Sequence, residues 1–235
     1  MAEGLLEVLR TEQKYPINYA EFLLLRGKLQ SLLQEDAHNG PEGYLVRSLY
    51  FDTLDDSDYM DKSGGYELRH KLRLRVYGPT DQYAKLELKE KQGDLQRKRS
   101  LLVGREDAIQ LCKGNASVLQ KYEDPFAKEL YTLIQERMYR PKCIVEYKRW
   151  AVMEPANDIR ITFDSAITAS ETTTDIFQEN CLLYPVQSPN QVTMEVKFNG
   201  FLFSYIKDLV SLSDKEQASV SKYVLARSIS MGLEF

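Results

Sequence analysis

The chain has few of the side chains that most enzymes use for acid–base and redox work: two histidines and three cysteines in 235 residues. Cys112, Cys143 and Cys181 lie far apart and in no paired spacing. That excludes a disulfide framework and a zinc site, and leaves reduced thiols as the expectation. A basic excess is also missing. The formal net charge is -4, which argues against nucleic-acid binding driven by the overall field, so any anion site must be a local concentration of Lys and Arg. The first residues, MAEGLLEVLRTEQKY, show no basic segment followed by an apolar run. No stretch approaches the roughly 18 apolar residues of a membrane span. The expectation is a cytoplasmic protein without direct membrane insertion. Neither histidine suggests a general base, since His70 falls on the apolar side of its segment and His38 in a loop.

What the chain does have is alternation. In YELRHKLRLRVYG (Tyr66 to Gly78), a strand sends Glu67, Arg69, Lys71, Arg73, Arg75 and Tyr77 to one face and Leu68, His70, Leu72, Leu74 and Val76 to the other. YAKLELKEKQG repeats the pattern with Lys85, Glu87, Lys89 and Lys91, turns at Gln92-Gly93-Asp94, and leads into LQRKRSLLV with Lys98 and Ser100 on one face. VLRTEQKYPI groups Arg10, Glu12 and Lys14, and VTMEVKFNG groups Glu195 and Lys197. KCIVEYKRWAV and DIRITFD contribute Arg149 and Arg160, and with YLVRSLYFDT the count reaches eight strands. Helices are expected over Ile17 to Glu35, after the Asp124 cap and Pro125, over Arg105 to Lys113, over Phe201 to Leu212 and over roughly Lys215 to Met231. Ser165 to Gln191 reads as a long excursion with a short helix near Asp175 to Glu179.

A two-faced antiparallel sheet ordinarily buries its apolar side and solvates its charged side. Here Arg and Lys recur at every second position with single glutamates between them. A better fit is an α+β fold in which an eight-stranded antiparallel barrel has a charged interior and carries helices on its apolar outside, as one domain over residues 1–235. Confining so many cations is costly without a highly charged anion, and Arg forks match phosphate oxygens in pairs. Glu12, Glu87 and Glu195 repel such a guest, but they suit Mg²⁺ or Mn²⁺, which binds through one or two carboxylates plus phosphate oxygens. Metal plus phosphate points to phosphoryl transfer. The charged faces lack the interleaved aromatics that stack bases, so nucleic acid is not expected as a partner.

An ordered set of motifs resembles the VTC domain, the polyphosphate polymerase domain of the triphosphate tunnel metalloenzyme (CYTH-like) superfamily: RTEQKY, SLYFDT, RHKLRLRVYG, LELKEK, RKR at 97–99, YKRWA, DIRITFD, MEVKF and SKY at 221–223. The resemblance implies transfer of the γ-phosphoryl group of ATP onto a growing polyphosphate chain. It places Lys14, Arg73, Arg75, Lys89, Arg149, Arg160 and Lys197 among the catalytic cations, and Lys98, Ser221 and Lys222 among the phosphate contacts. Arg10 joins them as a further phosphate-binding position. Glu195 matches the principal ligand of Mn²⁺ or Mg²⁺, with Glu12 and Glu87 as further carboxylates on the metal side or in the cation network. Two positions depart from the family pattern. The hydrolytic branch opens with E-x-E-x-K, whereas Arg10 makes this R-x-E-x-K and favours the polymerase branch; Ser219 stands where polymerase members carry a basic residue. The implied protein is a stand-alone, bacterial-type member whose partners are ATP and inorganic polyphosphate, with room for a membrane-protein partner. Two alternatives use the same fold: a tripolyphosphatase or nucleoside triphosphatase, and a non-catalytic module binding polyphosphate or inositol polyphosphate.

Overall fold

The computed structural model describes residues 10–93, 95–211, 214–228, 230 and 231. The chain opens with Arg10–Asn18 (β1) and Tyr19–Gln30 (α1), followed by Gln34–Glu35 (β2), Tyr44–Asp52 (β3) and Ser57–Ser63 (α2). Arg69–Val76 (β4), Tyr83–Gln92 (β5) and Leu95–Gly104 (β6) come next, then Arg105–Cys112 (α3) and Pro125–Glu136 (α4). The remainder is Arg140–Glu154 (β7), Ile159–Ser170 (β8), Tyr184–Pro185 (β9), Gln191–Asn199 (β10), Ser204–Leu209 (α5) and Lys222–Ser228 (α6).

The eight long strands are those the alternation predicts. They form an antiparallel sheet in the order β1-β10-β8-β7-β3-β4-β5-β6, with two-residue β2 and β9 attached at β7 and β8. The expected closed barrel is corrected in one respect, because the ladder is an open path ending at β1 and β6. Side-chain alternation determines which face is apolar, but closure depends on backbone pairing of two edge strands. No such rung is present among the described residues.

Two compact units make up the chain: Met1–Tyr44, Lys148–Ala166 and Gln187–Val220 form the first, and Leu45–Tyr147, Ile167–Val186 and Ser221–Phe235 the second. In the first, α1 and α5 cover the apolar faces of β1, β10 and β8. Phe22 lies 5.1 Å from Phe163 and 6.3 Å from Trp150, ring centre to ring centre, above buried Val192, Met194 and Val196. In the second, α3 and α4 cover β4, β5 and β6, burying Leu72, Leu74, Leu86, Leu88, Leu101 and Val103 against Leu111, Leu130 and Ile134. In both units the apolar strand faces are those roofed by helices, which directs the opposite, charged faces away from these cores.

Several expected helices are shorter, for local reasons. Ile17 pairs with Val192 in the sheet, and the Asn18 side chain accepts from Glu21 N at 2.8 Å, so α1 starts at Tyr19. Within the expected helix from Lys215, Ala218 N donates instead to Lys14 O (2.9 Å), and among the described residues of that stretch only Lys222–Ser228 is helical. The 175–179 segment is a set of turns, because Arg47 takes the carbonyls of Ile176 (3.1 Å) and Gln178 (2.6 Å) while Ile176 and Phe177 plug the core of the second unit. α2 was not foreseen. α4 begins as expected, with Asp124 accepting from Phe126 N at 2.8 Å and Pro125 opening the helix.

Candidate functional site

In the second unit the charged face is built by β4, β5 and β6. Their register sets Arg73 beside Glu87 beside Ser100, and Lys71 beside Lys89 beside Lys98. Glu87 is the hub: Arg73 Nε lies 2.7 Å and Arg75 Nε 3.6 Å from its carboxylate, and Lys98 pairs with its other oxygen. Glu87 is only 3% exposed. Burial pushes its carboxyl up, but Arg73, Arg75 and Lys98 outweigh that and hold it well below the usual carboxylate range. Burial lowers the Lys98 ammonium, with Glu87 opposing the shift. Arg73 also reaches Tyr50 Oη (3.3 Å), and Arg75 reaches Ser48 Oγ (3.4 Å). Three lysines in one lateral row repel one another at neighbouring Cβ spacing, so this face favours an anion. At its margin, Lys71 Nζ donates to Ser221 Oγ (3.3 Å), and Lys222 Nζ sits 4.7 Å from the centre of the Tyr147 ring.

The first unit carries a second charged face on β1, β10 and β8. Glu12, Lys197 and Arg160 form one cross-strand row, and Lys14, Glu195 and Thr162 the next. Lys197 Nζ lies 2.6 Å from Glu195 and 4.0 Å from Glu12, and Lys14 Nζ lies 3.3 Å from Glu12 and donates to Val220 O at 3.1 Å. Arg149 grips the buried Asp164 with both arms, at 2.6 and 2.7 Å. Arg160 pairs with Asp36 and donates to Tyr44 Oη at 3.1 Å. Burial pushes the Asp36 carboxyl up, but hydrogen bonds from His38 and the charge of Arg160 overcome this and lower it.

The site residues read from the sequence therefore fall into two groups. Arg73, Arg75, Lys89, Lys98, Glu87, Ser221 and Lys222 belong to the second unit, and Lys14, Glu12, Arg149, Arg160, Lys197 and Glu195 to the first. The side chain of Arg10 lies outside the described residues. The sequence reading left out Asp164, Asp36, Tyr50 and Lys71. Lys71 carried a signal, since it alternates with Arg73 and Arg75; the two aspartates are counter-ions that only the fold brings to their arginines.

The donor chemistry suits a divalent cation at Glu12 and Glu195. These two carboxylates share Lys197, an ammonium at a position where a cation is attracted to both, and Mg²⁺ or Mn²⁺ takes few protein oxygens when phosphates supply the rest. Among the described residues no three His, Cys, Asp or Glu side chains converge into a cage. Glu87 is engaged by three cations and is better matched to organising them. Among the described residues no helix is long and apolar enough to cross a membrane.

A comparison with curated proteins gives no match. Among solved structures the chain is similar to a candidate adenylyl cyclase from Hippeastrum with a dominant triphosphatase activity, at 14% identity and a TM-score of 0.56 over 92% of this chain and 94% of that one. It is also similar to candidate adenylate cyclases from Bacillus halodurans (13% identity, TM-score 0.52, 91% and 94% of the two chains) and Vibrio parahaemolyticus (14%, 0.51, 93% and 98%). These likenesses are to the fold. The model of the VTC domain matches residues 9–231, nearly the whole chain, and the protein belongs to that family.

Proposed function

We propose that the protein is a polyphosphate polymerase that transfers the γ-phosphoryl group of ATP onto the terminal oxygen of an inorganic polyphosphate chain. The observation that carries this reading is the clustering of Arg73, Arg75 and Lys98 on one buried carboxylate in a VTC domain. Such an arrangement pre-organises cations for a ligand with many phosphate oxygens.

Arg73, Arg75, Lys89 and Lys98 neutralise phosphate oxygens in the second unit, and Lys14, Arg149, Arg160 and Lys197 do so in the first. Ser221 adds a hydroxyl beside Lys71, and Lys222 adds an ammonium over the Tyr147 ring. The acceptor oxygen forms a bond to the γ-phosphorus as the bond to the ADP oxygen breaks, and ADP leaves with the electron pair. The nucleophile is itself a phosphate oxygen, ionised at neutral pH, so the chain need supply neither a covalent nucleophile nor a general base; positioning and charge stabilisation suffice. Glu195 and Glu12 would hold Mn²⁺ or Mg²⁺, whose contribution is to draw negative charge off the phosphates.

A second reading keeps the phosphate site and makes water the acceptor. It is favoured by the triphosphatase activity of the Hippeastrum protein whose fold this chain shares. Incubation with ATP and Mn²⁺, followed by a gel stained for polyphosphate and assays of ADP and orthophosphate, separates the two. The polymerase gives a ladder with matching ADP; orthophosphate without a ladder identifies the hydrolase, and neither product leaves an anion-binding module.

A further inference from the structure

Two of the sequence motifs, SLYFDT and SKY, are only partly used by the proposed chemistry: Ser221 and Lys222 have roles, while Asp52 and Tyr223 have none. In the structure these two residues meet. Tyr223 Oη donates to Asp52 Oδ2 at 2.6 Å, joining positions 171 residues apart. Asp52 is fully buried and also accepts from the backbone N–H groups of Thr53 (2.7 Å), Asp58 (2.9 Å) and Tyr59 (3.0 Å), so the same carboxylate caps α2 and tethers α6. The Tyr223 ring stacks on Tyr50 of β3 at 5.2 Å and meets the edge of Tyr59 of α2 at 6.4 Å. Tyr50 in turn accepts from Arg73 at 3.3 Å. At the far end of α6, Arg227 bridges Asp56 and Glu171, each at 2.9 Å.

The tether lies one residue from Lys222 and two from Ser221. α6 has only seven residues and too few turns to hold its own position in water, so its placement must come from these contacts. We propose that Asp52 and Tyr223 are positioning residues: their bond fixes the start of α6 and thereby sets Ser221 beside Lys71 and Lys222 over the Tyr147 ring as the last members of a phosphate subsite. This rests on the reading that Ser221 and Lys222 contact phosphate. Tyr223→Phe is the informative change, because it keeps the ring stack and leaves Asp52 its three backbone donors.

The test is a mutant cycle on the full chain, with tripolyphosphate affinity measured by titration calorimetry and melting recorded alongside. Tyr223→Phe is expected to weaken binding about tenfold, the loss of roughly one charge-assisted hydrogen bond's worth of placement. In a Ser221→Ala/Lys222→Ala background the same change should add less than about twofold, since its effect passes through those side chains. An equal loss in both backgrounds, or no loss in either, overturns the proposal. If wild type binds and Ser221→Ala/Lys222→Ala binds equally well, the assumed phosphate contacts are wrong and the proposal falls with them; if wild type does not bind, the functional reading itself fails. Should Tyr223→Phe not fold, Arg227→Lys takes its place in the cycle. It keeps the charge but cannot fork between Asp56 and Glu171, and the same non-additivity is required of it.

Discussion

Replacing Glu87 by Gln separates two roles for this carboxylate, because it keeps the side-chain shape and removes the charge that Arg73, Arg75 and Lys98 share. Arg75 is 8% exposed and Arg73 20% as side chains, so their pairing lies in a poorly screened environment. Lys98 is 51% exposed, and its contact adds little. Breaking a buried ion pair from one side costs about 3–5 kcal/mol. With Gln still accepting a hydrogen bond, the lower figure applies, about 3 kcal/mol or roughly 6–12 °C in Tm for a chain of this size. The folded-state carboxyl is held below its unfolded value near 4.3, so its contribution is fully present above that pH and lost as pH falls toward the folded pKa. The gap between wild type and Glu87→Gln should therefore be flat from neutral pH to about 5 and narrow only in stronger acid. Tripolyphosphate should then stabilise the variant by more than it stabilises wild type, since the anion replaces the missing charge. Differential scanning fluorimetry across pH, with and without tripolyphosphate, reads all three effects. A variant as stable as wild type would refute the role of Glu87 as organiser of the cations, and one with a smaller tripolyphosphate shift would refute its competition with the ligand for them.

Two further substitutions test the surrounding electrostatics. Arg149→Ala strips the fully buried Asp164 of its two-armed partner and should cost about 3 kcal/mol in urea denaturation, with Arg149→Lys recovering part of that loss; a change within about 0.5 kcal/mol would count against the pairing. Asp58 is buried, donates its backbone N–H to Asp52, and accepts from Tyr139 at 2.8 Å. Burial, with Asp52 nearby, pushes its carboxyl up to about 7. The native state then binds more protons than the unfolded chain between about pH 4 and this value, so wild-type stability should fall by a few kcal/mol as pH rises through that window. Asp58→Asn should remove that slope, and urea midpoints at pH 5 and 8 measure it; an unchanged slope would show that Asp58 is not the group responsible.

The strands were legible because alternation is local. In Arg69–Val76 and Tyr83–Gln92 each residue's face follows from its parity, so Leu72, Leu74, Leu86 and Leu88 could be placed in a core, and Arg73, Arg75, Lys89 and Glu87 opposite, without knowing any partner strand. The α4 start was legible for the same reason, as Asp124 and Pro125 act within one turn. What escaped was non-local. The sequence has no mark that assigns Asp164 to Arg149 or Asp36 to Arg160, since a salt-bridge partner is chosen by register and loop path. α2 was missed because Ser57–Ser63 is too short to show a helical period and is held by Asp52, which lies outside it.

Those missing counter-ions change what the site can be. A bare row of cations would bind any anion, orthophosphate included. Here Arg73 and Arg75 already face Glu87, Arg149 faces Asp164, Arg160 faces Asp36, and Lys197 faces Glu195. A ligand must compete with these carboxylates at each cation, and the return from any single contact in such a pre-paired site is small. Within either unit, one phosphate group reaches one or two cations, whereas a chain of phosphates reaches several at once and pays the loss of its own motion only once. On the proposed function, pairing these cations in advance is expected to convert a general attraction for anions into a preference for long ones. Glu87 and Glu195, which repel a phosphate guest when read one at a time, would with Asp164 and Asp36 supply that selectivity.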